Sequence, residues 1–156
     1  MKIRYPLFVG LVAAFAVSLA SVVSAVAAET PFKGTANAVE TSQGFPFVRV
    51  TRIGTGTATY LGKYTSQVIL DVNVLAIPPT ATGDATFTAA NGDTLTTTVV
   101  GHSSLLTPGV LSIVEDYTIT GGTGRFADAI GTFTGRIIVT QATGVSTGTF
   151  SGVIDH

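Results

Sequence analysis

Glu115 is the side chain of this 156-residue sequence best placed for chemistry. From Val110 to Thr120 apolar residues recur at alternate positions, and Glu115 falls in step with Leu111, Ile113, Tyr117 and Ile119. In a β-strand, residues two apart share a face, so this carboxylate is expected to point into the protein. A carboxylate there is costly unless it is paired or hydrogen-bonded. In an apolar cavity it could serve as a general acid or as the polar anchor of a ligand. Two readings compete: a bulge at Glu115-Asp116 that turns it outward, or a structural pair with an arginine. Tyr60, Tyr64 and Tyr117 could add hydroxyls to such a cavity, or simply pack with one end solvated. Arg125 could meet a carboxylate at a barrel mouth or tie down loop carbonyls. Glu115, Tyr117, Tyr60 and Arg125 therefore form the candidate ligand-binding set.

Other chemistry finds little support. His102, Ser103 and Asp116 supply the residue types of a hydrolase triad. The sequence has no Gly-x-Ser-x-Gly elbow, and adjacent His and Ser do not aim a nucleophile at its base. Two histidines and no cysteine give no legible zinc site, and the aspartates at 84 and 93 are too few for calcium. No catalytic residue, metal or cofactor is assigned. Gly122-x-Gly124-x-x-Ala127 matches a loose dinucleotide fingerprint. However, only Arg125 to Ile130 separates it from Gly131 and a new strand, which leaves no helix to hold pyrophosphate.

The elements that must carry these side chains are strands. After residue 28 the chain is rich in Thr, Val, Ile, Phe and Gly, and no window sustains a helical period. Val68, Leu70, Val72 and Val74 alternate with Gln67, Ile69, Asp71 and Asn73. Two threonine-rich strands, Asp84 to Ala89 and Thr94 to Val100, flank Asn91-Gly92-Asp93, a hairpin signal. Pro78-Pro79 breaks the ladder before them. Gly131 to Val139 sets Phe133, Ile137 and Val139 against Thr132, Thr134, Arg136 and Ile138. Ser146 to Ile154 turns Phe150 and Ile154 inward. Phe32 to Val39 and Phe47 to Tyr60 supply the earlier strands. Phe45-Pro46-Phe47 reads as an apolar lip or a turn, and His102 as part of a loop. Seven or eight strands of this kind predict an antiparallel barrel, with a β-sandwich as the alternative. An outer-membrane barrel would reverse the threonine-out, apolar-in pattern.

Ile119 to Phe126, with Gly121, Gly122 and Gly124 as a structural turn and Phe126 as a plug, resembles the Gly-Gly-Thr-Gly-x-Phe signature of dirigent proteins. Those share a barrel with allene oxide cyclases. The segment is also similar to small secreted bacterial proteins, as is Gly56 to Thr65. The resemblance implies an eight-stranded antiparallel barrel with an apolar cavity, and trimers are common among dirigent-like proteins. It carries no catalytic residue onto this chain.

Lys2 and Arg4, the uncharged apolar run from Leu7 to Val23 and the small residues at 25–28 are expected to form a cleaved signal peptide, residues 1–28. The rest, 29–156, is one domain destined for secretion or the periplasm, with no stable membrane insertion after cleavage. Its six basic and nine acidic residues leave a net charge of about −3 with no basic patch, which excludes nucleic acid as a partner. Three functions stay open: a non-catalytic barrel binding a small apolar ligand, a solid-core module for surface interaction or assembly, and a cyclase-like enzyme. The expectations part at the lumen. A core filled by Phe87, Phe133 and Phe150 favours the solid module.

Overall fold

The computed structural model describes residues 30–155, so the expected signal peptide lies outside the described residues. Eight strands follow one another: β1 (Thr30–Gln43), β2 (Phe47–Ala58), β3 (Gly62–Asn73), β4 (Thr80–Ala89), β5 (Thr94–Thr107), β6 (Val110–Gly122), β7 (Ile130–Thr140) and β8 (Val145–Asp155). Each pairs antiparallel with its sequence neighbour, and β8 returns to β1, closing a barrel. The sandwich alternative is thereby excluded. Closure leaves no unpaired sheet edge.

Inward positions follow the alternation. Val68 and Leu70, Phe133, Ile137 and Val139, and Phe150 and Ile154 are all buried. Strand ends run further than local composition suggests. His102 lies within β5 rather than in a loop, because Thr80 and Val114 pair with it on either side.

An eight-stranded barrel is just wide enough for side chains to fill it. Here the filling is unequal around the wall. β8, β1 and β2 turn small residues inward, among them Ala36, Ala38, Gly54, Gly56 and Gly148. Aromatic rings take that space. A β-carbon on Gly56 would sit 2.5 Å from the Tyr64 hydroxyl, and one on Gly34 would sit 2.5 Å from the Phe150 ring. Phe32, Phe87, Phe133 and Phe150 contact one another, and Tyr117 stacks on Phe133 with centroids 4.5 Å apart.

In an up-and-down barrel alternate connections lie at the same end. The connections 59–61, 90–93 and 123–129 share one end with both ends of the described chain, and this end is called closed. The connections 44–46, 74–79, 108–109 and 141–144 share the opposite end, called the loop end.

Candidate functional site

The sequence places Glu115 inward, and the structure agrees: its exposure is 0%. Glycines make its room. Gly101 of β5 and Gly135 of β7 are its cross-strand partners, and a β-carbon on Gly101 would come within 2.9 Å of the Glu115 Cγ. From β2, Arg52 reaches across the lumen. Its Nη1 and Nη2 donate to the two carboxylate oxygens of Glu115 at 2.7 and 2.9 Å. Its Nε donates to Oε1 of Glu40, the Arg52 partner on β1, at 2.5 Å. The Tyr117 hydroxyl donates to Glu115 Oε2, also at 2.5 Å.

Burial alone would weaken the Arg52 charge, but the Glu115 carboxylate, its hydrogen bonds and Glu40 outweigh that effect and hold the guanidinium pKa above its usual value. Burial first, and then the Glu115 charge, push the Tyr117 hydroxyl well above its ordinary pKa, so it stays a proton donor. Burial also pushes Tyr64 up to about 12.

This geometry is a brace rather than a reaction centre. A fork-to-fork arginine–carboxylate pair is strong and directional. The carboxylate already accepts three hydrogen bonds, and the guanidinium serves two acids on opposite walls. Sequence reasoning anticipated an arginine pair for Glu115 without naming Arg52. The signal was available, since Val48, Val50, Arg52, Gly54 and Gly56 alternate along β2 on the face that turns inward.

The remaining candidates are not gathered there. Tyr60 lies in the β2–β3 turn and Arg125 in a short 3-10 turn (Gly124–Phe126), both at the closed end. Arg125 Nε is 3.7 Å from Asp93, and its guanidinium lies over the Phe126 ring. Phe126 is fully buried, as a plug would be. Gly124 has φ +57°, and a β-carbon there would collide with the Asp93 carboxylate. The glycine motif thus builds the closed end. The four-residue ligand set divides into Glu115 and Tyr117 within the lumen and Tyr60 and Arg125 outside it.

The cavity implied by the resemblance is nearly absent. Beside the rings, between Arg52, Tyr64, Tyr117 and Gly148, about 40 Å³ is open. Ligand pockets usually measure about 300–1,000 Å³. On the loop side of the brace a second recess of about 100 Å³ lies between Glu40, Arg52, Glu115, Leu70, Ala81 and Ile113. A larger depression, about 900 Å³, is an open groove on the outer wall beside Lys33, Thr35, Thr149 and Arg136, away from the buried charges.

Around the loop-end mouth, three consecutive hairpins carry large apolar side chains into solvent. They are Phe45 and Phe47 on the first, Val74, Leu75 and Ile77 on the second, and Leu105 and Leu106 on the third. Phe45 is 80% exposed and Ile77 99%. The Phe45-Pro46-Phe47 lip is therefore one third of an apolar arc. Comparison with family models, curated proteins and solved structures returns no match for this chain.

Proposed function

We propose that this protein is an exported, non-catalytic interaction module: a solid barrel that holds an apolar arc of loops as its working surface. One observation carries the reading. The ring cluster and the Arg52–Glu115 brace fill the lumen except for two small recesses of about 40 and 100 Å³, while exposed large apolar residues concentrate around the loop-end mouth. Large exposed apolar area gathered in one region of a surface marks an interaction site. The eight-stranded closed barrel supports, as part of this proposal, membership of the allene oxide cyclase and dirigent-like superfamily.

Native mass spectrometry and lipid extraction of secreted protein test the reading. The expected result is the bare mass, with no thermal shift across fatty acids and phenolics. A stoichiometric small passenger would instead support the second reading, an apolar ligand seated in the recess of about 100 Å³ above Glu40, Arg52 and Glu115 and capped by the arc. A cyclase-like reaction has the least support, because each polar group of the brace is already engaged.

A further inference from the structure

We infer that the partner of the loop end is an uncharged lipid surface, on which the barrel docks by its three apolar tips without inserting its strands. This inference rests on the interaction-module reading. It draws on three features of the loop end beyond exposed apolar area.

The first is charge. Residues 41–48, 72–83, 103–114 and 137–154 contain no Asp, Glu, Lys or Arg. All four loop-end connections are therefore uncharged. The closest outward-facing charges, Arg49 and Asp71, are cross-strand partners 3.1 Å apart. By contrast, Lys33, Lys63, Asp93, Arg125, Asp128 and Asp155 gather toward the closed end. Charged side chains resist burial in hydrocarbon. Anionic lipid, in turn, is attracted by basic clusters, and this rim has none. The surface that matches is neutral or zwitterionic.

The second is the backbone. A polar main-chain group that reaches lipid hydrocarbon must already have a partner. Here neighbouring hairpins satisfy one another. Val74 N–H donates to the Pro46 carbonyl, Ser103 N–H to that of Pro79, Gln141 N–H to that of Gly109, and Glu40 N–H to that of Gly144. Two of these bonds join one connection to the next and two tie a connection to the neighbouring strand, so that together they form a ring around the mouth. Four of the six prolines of the chain, Pro46, Pro78, Pro79 and Pro108, also lie in these connections and bring no N–H at all.

The third is shape. The apolar residues sit on three separate tips borne by a rigid closed wall, and three tips define a plane. The recess of about 100 Å³ at the mouth is too small to receive the three tips of a second copy.

The barrel closes within residues 30–155, so residues 29–156 can be tested as one unit. Flotation with phosphatidylcholine vesicles is the measurement, alongside sedimentation velocity without lipid. The wild-type chain should co-float, and added salt should not release it. Phe45→Ser combined with Leu75→Ser and Ile77→Ser should lower partitioning by on the order of tenfold or more, since each change removes buried apolar area. Ile130→Ser, at the closed end and also exposed, should leave partitioning unchanged. Absence of co-flotation, dependence on anionic lipid, or equal loss in both variants would overturn the inference. Rim-dependent self-association without lipid would overturn it too, but would leave the interaction-module reading standing. A rim variant that alters neither flotation nor sedimentation would remove both.

Discussion

The two ends of this barrel solve opposite problems with the same strand geometry. At the closed end Phe126, Leu61, Leu95 and Ile154 are buried to within 2%, and charged side chains ring the outside. At the loop end apolar side chains point outward, and charge is drawn inward to Glu40, Arg52 and Glu115. The closed end follows the usual rule for a soluble protein. The loop end departs from it twice, with exposed apolar residues and buried charge, and such departures are where function is expected.

Single substitutions should separate the ends sharply. Phe126→Ala should cost about 3–5 kcal/mol, because a fully buried ring leaves a cavity. Phe45→Ala, on an exposed ring, should stay within about 0.5 kcal/mol. Urea denaturation of both variants makes the comparison. Equal losses would mean that the rim is structural.

The brace should respond almost as strongly. Arg52→Ala strands the Glu115 carboxylate and should cost about 3–5 kcal/mol, while Arg52→Met with Glu115→Leu should recover much of that loss. If the double variant were as unstable as the single one, the pair would contribute more than mutual neutralisation. Gly124→Ala at the closed end should cost more than about 1 kcal/mol, since its φ of +57° disfavours a side chain and Asp93 blocks the space.

The alkaline limb sharpens the picture of the lumen. Tyr64 ionises near 10 when unfolded and is pushed up to about 12 by burial in the fold. The unfolded chain therefore releases this proton first. The contribution is complete below pH 10 and is lost as pH rises from 10 toward 12, and Tyr117 acts in the same direction. Denaturation midpoints between pH 8 and 12 should show this decline, and Tyr64→Phe should flatten part of it. An unchanged slope would mean that Tyr64 is solvated. A small gain is expected at Thr97, whose buried hydroxyl has no hydrogen-bond partner among the described residues. Thr97→Val should raise stability by about 1 kcal/mol in the same assay.

Alternation made most of the fold legible. It assigned the inward faces of β3, β6, β7 and β8 and the inward direction of Glu115. It could not show that Arg52 and Glu115 meet, because nothing local to β2 or β6 says that they face each other across a lumen. Nor could it show that the lumen is full. That depends on Gly34 lying under Phe150 and Gly56 under Tyr64, contacts between residues far apart in sequence. His102 was misread because Gly101, Ser103 and Ser104 have loop-like composition, and pairing with β4 and β6 overrides that preference. Tyr60 and Arg125 were grouped with Glu115 by residue type, whereas the strand connections carry them to the opposite end.

The seam between β1 and β8 has a mechanical consequence. Thr30 pairs with Ile154, so the described chain enters and leaves the barrel side by side. A pulling force applied through these two points acts across the ladder rather than along it. The barrel should then open like a zipper, one hydrogen-bonded pair at a time from the closed end, at lower force than a sheet loaded in shear. The loop-end ring, farthest from the point of load, would be the last part of that seam to give way.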